Sequence, residues 1–400
     1  MNVELHRTFW PVGHGAFYTE QITNHISGHC FTAVYDCGGP QVLDCIDDFN
    51  DEEKKLDIDL LFISHFHRDH TNGVRELINR ANVRQIILPQ LEQLMLCEAY
   101  IYNAFSSNRK NLDFNSDWQK MIVELANNKS FGDVKIVQVS PSSAEDNESI
   151  STETLSTHTE IKSGTNIVLT TTIDNHNVPW WTYVPINVVY NQSNADTLIT
   201  KIEKKSNLTI KTDKSIDWET LKTALVKIGF DEVKKIYKEI YGDDKHNFYS
   251  MPVISAPTNE IAIDLYRCYL DWDNDCCCYT PFCVRRRIFK RKQMLSCLYM
   301  GDFETKNASK FAQLVHVLNH KWNQIGIVQV PHHFSPHNHN PQLYEYCYMA
   351  FGNIDDYHDV SFAHSVYRDV RNICTFSPIV ITECDSFVNL YYAFNIDIRK

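Results

Sequence analysis

An α/β fold is predicted by two observations. Short apolar runs of strand length recur along the chain, and helix-type patterns separate them. A third observation says where the chemistry sits. The runs at 60–63, 297–300 and 325–330 each lead into a turn rich in His, Asp or Gly, so reactive side chains are carried at strand ends.

Taken in order, the chain opens with a strand and the turn Pro11-Val12-Gly13-His14-Gly15. Phe31-Thr32-Ala33-Val34-Tyr35 reads as a strand, and Asp36-Cys37-Gly38-Gly39 turns away from it. Leu60-Leu61-Phe62-Ile63 is the next strand and delivers His65-Phe66-His67-Arg68-Asp69-His70. This HxHxDH order can serve two metal ions. Side chains two apart on an extended segment point the same way, so His65 and His67 can share one ion. Asp69 and His70 follow one turn later and can face a second. Imidazole suits Zn, Fe, Ni and Cu, and carboxylate adds affinity for harder ions such as Mn. A helix-type segment follows at 74–82, and 91–130 is mostly helical in pattern.

The stretch 141–163, rich in Ser, Thr and Glu, reads as a loop. The aromatic run 180–186 reads as a strand whose Trp180, Trp181 and Tyr183 serve core packing ahead of a pocket wall. Residues 190–265 interrupt the strand pattern. Asp217 is placed to cap a helix that runs to Gly229, and a second helix from Asp231 to Tyr241 ends at Gly242. The expected organisation is one domain over 1–400 with a small helical insertion at about 190–265, forming a lid or a surface for a protein partner. Arg285, Arg286 and Arg287 open a basic run that either reaches substrate phosphates or is a solvated hairpin balancing an acidic chain. Cys276, Cys277, Cys278 and Cys283 lack the paired spacing of structural zinc and read as buried thiols. The run 297–300 ends in Gly301-Asp302, where the glycine allows close backbone approach. The run 325–330 ends in Pro331-His332-His333-Phe334-Ser335, and Phe362-Ala363-His364-Ser365 precedes a helix-type stretch.

The HxHxDH set, the aspartate after an early strand, the late Gly-Asp and the late histidines resemble the signature of the metallo-β-lactamase superfamily of metal-dependent hydrolases. The resemblance implies a four-layer αββα sandwich with ligands on loops at one end of two packed sheets. It implies two divalent ions, Zn or Mn, with His65 and His67 on the first, Asp69 and His70 on the second, and Asp302 bridging. One of His332 and His333, with His333 favoured, ligates the second ion; the other holds substrate or donates a proton. Asp36 supports the HxHxDH loop from outside the ligand shell. A further histidine is expected for the first ion, and His176 and His158 are the candidates. The Pro-His-His-x-Ser segment and the N-terminal glycine turn resemble the branch typified by the hydrolase domain of the DNA-uptake protein ComEC. Phe334 stands where that branch has glycine. His364 is carried over as another candidate, although the branch's neighbouring proline is absent. The resemblance covers about 8–75 and 295–390.

In such a site a hydroxide bridging the two ions is the expected nucleophile, because metal binding lowers the pKa of water from about 15.7 to about 7. Asp69, His332 and His333 are then the expected catalytic residues. The branch implies a phosphodiester substrate, cleaved by a nuclease or a cyclic-nucleotide phosphodiesterase, and the basic run agrees. Two other readings stay open, because fold does not decide function. One is a non-catalytic or conditionally active component of a multi-protein assembly, such as a bacterial phage-defence (antiviral) system. The insertion and the lack of a third-histidine motif favour it. The other is a lactonase or thioesterase, which assay against neutral esters would separate.

Composition narrows the setting. A net charge of −12 over 400 residues argues against broad wrapping of nucleic acid, though not against one basic patch. A hydrophobic content of 43% can fill a sizeable core. The sequence shows neither an N-terminal apolar segment nor a run of roughly 18 apolar residues, so a membrane role is not expected. Thirteen cysteines then read as reduced thiols of a cytoplasmic enzyme.

Overall fold

The computed structural model describes residues 1–50, 55–90, 93–106, 111–114, 116–128, 134–143, 148–173, 176–188, 193–212, 215–242, 250–259, 261–272, 292–354, 360–383 and 387–397. The basic residues Arg285, Arg286 and Arg287, and the cysteines 276–278 and 283, lie outside the described residues.

Among the described residues two large sheets, of nine and eight strands, form the body. The first has nine strands in the spatial order Glu160–Ser163, Lys135–Ser143, Gln85–Pro89, Leu60–Phe62, His29–Gly38, Ala16–Asn24, Asn2–Phe9, Val388–Asp397 and Ala262–Trp272. Its half running from His29–Gly38 to Glu160–Ser163 is parallel, and the other half is antiparallel. The second has eight strands in the order Ile379–Ile381, Met349–Asn353, Ile327–Gln329, Cys297–Tyr299, Val253–Pro257, His176–Pro185, Asn166–Ile173 and Ser149–Ser151.

Alternation along the strands creates three apolar layers. Phe9, Tyr18, Tyr35 and Phe62 of the first sheet meet Trp181, Tyr183, Tyr299 and Phe351 of the second in a shared core. The opposite faces of the same strands bury Val34, Leu61, Ile63 and Ile86 under helices. Val184, Ile254, Leu298 and Val328 face out of the second sheet and are covered by the helices Ala308–Leu318 and Val360–Ile373. The order helix, sheet, sheet, helix is the αββα sandwich. No helix among the described residues is long and apolar enough to cross a membrane.

A charged hub joins the sheets. The Glu20 carboxylate, on the first sheet, accepts from Arg7 Nε (2.6 Å), Tyr183 OH (2.9 Å), Ser255 Oγ (2.6 Å) and Tyr299 OH (2.8 Å). The last three belong to the second sheet. A buried charge that is paired and saturated with hydrogen bonds is tolerated where an isolated one is not.

Trp181 belongs to the shared core, with its indole N–H donated to Ser255 Oγ at 3.0 Å. The stretch 141–163 departs from the expected loop. It contains the end of Lys135–Ser143, then Ser149–Ser151, a short helix Thr152–Leu155 capped by Ser151, and Glu160–Ser163. Glu160–Ser163 is an edge strand that points Glu160 and Lys162 to solvent and Ile161 and Ser163 inward. A polar composition is what an edge of this kind shows.

Where a helical insertion is expected, the described residues form the helices Ser193–Ser206, Trp218–Ile228 and Phe230–Tyr241. Asp217 caps the second by accepting from Thr220 N at 3.0 Å, and Gly229 (φ 86°) and Gly242 (φ 79°) close the second and third. The first was not resolved by the sequence pattern. The strands Val253–Pro257 and Ala262–Trp272 belong to the two sheets, so the helices stop well short of 265. Leu198, Ile202, Leu221, Leu225 and Val233 pack in the layer that also holds Cys97, Tyr100 and Ile101 of the helix Gln93–Ser106.

Candidate metal centre

The HxHxDH segment leaves the strand Leu60–Phe62 and turns into the short helix Arg68–Thr71. Its shape is held from three sides. Asn103, fully buried on Gln93–Ser106, donates to Phe66 O (2.7 Å) and accepts from Arg68 N (3.2 Å). Asn72 exchanges two bonds with the Gly39 backbone, at 2.8 and 3.1 Å. A Cβ on Gly38 would sit 2.5 Å from the backbone of Asp69 and His70, and one on Gly15 would sit 2.6 Å from Asp69 O. Only glycine lets the early turns lie against the loop.

Asp302 arrives from the second sheet. Gln329 Oε1 accepts from Met300 N (2.8 Å) and Gly301 N (3.0 Å), and Ser250 Oγ accepts from Asp302 N (3.0 Å). Gly301 has φ 52°, and a Cβ there would meet Ser250 Oγ at 2.4 Å and Ser64 Oγ at 2.8 Å. The glycine therefore answers both a left-handed backbone and a close approach. His332, His333 and Phe334 follow with φ of 50°, 50° and 62°. Three consecutive non-glycine residues in this region cost roughly 1–2 kcal/mol each. Burial of Phe334, a bond from His332 N to Gly301 O (3.0 Å) and one from Ser335 N to His332 O (2.8 Å) hold them there.

These loops bring together two groups of donors. Asp69, His70, Asp302 and His333 offer atoms within 4.8 Å of one another, as do His65, His67 and Asp302. The oxygens of Asp302 divide between the groups. Oδ1 lies 3.2 Å from His70 Nε2 and 3.6 Å from His333 Nε2, while Oδ2 lies 3.6 Å from His65 Nε2.

The outer nitrogens are occupied. Asp36, also at positive φ (55°), receives Ser64 N and Ser64 Oγ at 2.7 Å each and His70 Nδ1 at 2.8 Å. The hydroxyl proton of Ser64 goes to Asp36, so Ser64 Oγ accepts from His65 Nδ1 at 2.9 Å. His333 Nδ1 donates to Asn353 O at 3.2 Å. In all three rings Nδ1 carries a proton and Nε2 is the nitrogen turned inward. The buried Nε2 atoms of His65 and His70 find no hydrogen bond. Inward lone pairs with carboxylate, hydroxyl or carbonyl support behind them are what metal ligands require, so the residues present fit a divalent ion in each group.

Electrostatics agree. Burial opposes charge on His70, but Asp302, Asp36 and Asp69 outweigh it and raise its pKa well above the usual imidazole range. Burial, followed by the charges of His70 and His67, lowers His65. Burial and His14 push His333 down to about 4. For Asp302 burial is outweighed, first of all by the charge on His70, and its carboxyl is held well below the carboxylate range. Carboxylates concentrated in this way favour a cation, whether a proton or a metal.

Three neighbours were not singled out in the sequence as site residues. The His14 ring packs tilted against His333 at 3.9 Å, with Nε2 3.7 Å from Asp69 Oδ2. Tyr102 packs on His67 at 4.4 Å, and Tyr237 of the insertion packs on Tyr102 at 5.6 Å. Asn338 reaches both Asp302 and His332. His14 was legible as part of a glycine turn; nothing local marks the other two. His176 is exposed at the start of His176–Pro185, His158 is exposed after Thr152–Leu155, and His364 is exposed within Val360–Ile373. None of them joins either donor group.

Residues 28–122 match the family model described as the metallo-beta-lactamase superfamily. The matched stretch carries Asp36 and the whole HxHxDH segment. No curated protein matches the chain. A solved structure, that of a long form RNase Z from yeast, aligns at 8% identity and a TM-score of 0.30, over 87% of this chain and 36% of the other. The chain thus spans little more than a third of that protein's length.

Proposed function

We propose that the chain is a binuclear metal-dependent hydrolase of phosphodiesters, acting as a nuclease or a cyclic-nucleotide phosphodiesterase. The observation that carries this reading is the division of the Asp302 oxygens between two donor groups. His65 and His67 would hold one ion with Asp302. Asp69, His70 and His333 would hold the other. Four imidazoles and two carboxylates suit Zn, with Mn as the harder alternative. Such ions, when bound, supply Lewis acidity and lower the pKa of a coordinated water from about 15.7 to about 7.

The protein's own part is orientation. Asp36, Ser64 and Asn353 O fix three rings before substrate arrives. The Asp69 side chain keeps 28% of its exposure, and His14 keeps 42%, so both border the opening. An anionic phosphodiester is favoured over a neutral ester by the ComEC-like motifs and by the two part-exposed imidazoles, His14 and His332, beside the donor groups.

The test is metal content of the purified protein together with hydrolysis of bis-p-nitrophenyl phosphate, wild type against Asp69→Ala. About two ions per chain and turnover that depends on Asp69 support the reading. One ion or none, with no turnover, sinks it.

A further inference from the structure

We propose that Asn338 fixes His332 as the Nε2–H tautomer, so that His332 gives a hydrogen bond to a non-bridging oxygen of the substrate and is neither a metal ligand nor a proton donor. The inference rests on the phosphodiesterase reading for the identity of that oxygen, but the tautomer does not.

The assignment follows from which atoms can donate. Asn338 Nδ2 lies 3.0 Å from Asp302 O. A carbonyl oxygen only accepts, so this amide atom is the NH2; the flipped amide would set two oxygens against each other. The same nitrogen lies 3.2 Å from His332 Nδ1. Nδ1 must therefore accept, and the ring proton sits on Nε2. Asn338 is not free to turn away. It is buried, its backbone carbonyl accepts from Thr305 Oγ1, and turning the amide away would break its bond to Asp302 O.

The adjacent His333 is the mirror case. Its Nδ1 donates to Asn353 O, leaving a lone pair on Nε2 towards Asp69 and Asp302. The left-handed backbone at 332 and 333 turns neighbouring rings to different uses, with centroids 6.1 Å apart and planes at 71°. Exposure follows the same division: 4% of the His333 side chain is accessible and 23% of His332. His332 Nε2 stands 3.9 Å from Asp302 Oδ2, beyond hydrogen-bond range, so its proton is available to a third group.

An imidazole whose Nδ1 accepts from Asn338 is not poised to act as the acid here. Losing Nε2–H would leave an imidazolate, and a second proton on Nδ1 would face the Asn338 N–H. What remains is a fixed donor aimed at charge that develops on a phosphoryl oxygen, a recognised use of neutral histidine. No proton changes hands at His332, and the leaving oxygen departs without help from it. Asn338 is then a positioning residue.

Nitrogen-15 NMR of the histidine-labelled wild type at neutral pH tests the tautomer directly, with the His332 signals assigned by their loss in His332→Gln. An acceptor-type Nδ1 and a protonated Nε2 are expected, and Asn338→Asp, whose carboxylate accepts from Nδ1–H, is expected to invert them. A protonated Nδ1 in the wild type overturns the proposal. So does a shortfall of one ion per chain in His332→Ala, because His332 would then be a ligand. Kinetics separate donor from acid on p-nitrophenyl and phenyl phosphodiesters. His332→Ala is expected to lower kcat by about 100-fold or more on both, with His332→Gln, which keeps an N–H, recovering much of the loss. A loss that grows with the poorer leaving group, and no rescue by Gln, identifies an acid and overturns the proposal. If the wild type cleaves neither ester, the phosphodiesterase reading falls, and the NMR and metal counts still decide the tautomer.

Discussion

His70 Nδ1 donates a hydrogen bond to Asp36 Oδ2 at 2.8 Å, and neither side chain touches solvent. Asp36 is thereby committed to three donors at once. Asp36→Asn keeps the shape and the positive φ, which asparagine accepts readily, but has one acceptor oxygen instead of two. Affinity for the ion held by His70 is expected to fall 10–100-fold. Competition against a chelator measures it, and unchanged affinity would mean that His70 needs no support from behind.

Removal of metal is the second case. The folded chain concentrates donors that the unfolded chain scatters, so each ion bound to the folded state adds about 2.7 kcal/mol at a free concentration 100-fold above Kd. Stripping with EDTA should lower Tm by several degrees, and Zn should restore it. A melting curve indifferent to EDTA counts against both donor groups.

Much of this centre is readable from residue order because its parts are local. HxHxDH, Gly301-Asp302 and Pro331-His332-His333 each follow an apolar strand within a few residues, and strand ends project what they carry. The remainder depends on contacts across the fold. Asn103 clamps Phe66 from 37 residues away, and Tyr102 reaches His67 only because its helix lies across the loop. Neither position has a pattern of its own. The Ser193–Ser206 helix is not signalled because its buried apolar residues, Ala195, Leu198, Ile199 and Ile202, stand among polar and charged ones. The Ser/Thr-rich strands failed as strands for a related reason: an edge buries one side only, and a polar sequence satisfies it.

Gly38→Ala tests the close approach beneath the loop. The new Cβ would stand 2.5 Å from backbone atoms of Asp69 and His70, which cannot swing aside as a side-chain tip can. A stability loss of about 1–3 kcal/mol is expected from overpacking, with lower metal occupancy because Asp69 and His70 are the residues displaced. Urea titration and metal analysis read the two effects, and an unaltered protein would mean the turn has slack.

Glu98 gives a pH dependence away from the metal. It is fully buried on Gln93–Ser106, with Tyr237 of the insertion as its hydrogen-bond donor. Burial raises its pKa from 4.5 to about 8. Between those values the folded chain holds a proton that the unfolded chain has released. Stability is therefore full below pH 4.5 and is lost as pH rises towards 8, by about 1.4 kcal/mol per unit at most. Urea midpoints at pH 5.5 and pH 8 should separate in the wild type and converge in Glu98→Gln. Equal separation in both proteins would place the dependence elsewhere.

The Glu20 hub has a consequence for assembly of the centre. Its bonds run from one sheet to three residues of the other, and the donor groups are split along the same seam: the HxHxDH residues hang from the first sheet, Asp302 and His333 from the second. Sliding one sheet past the other would pull the two halves of the centre apart, and the hub resists that slide without any ion. The spacing of the donors within each group is thus gauged by the protein scaffold. On the reading proposed above, incoming metal would meet a finished mould, and a larger ion would have to stretch the seam or be refused.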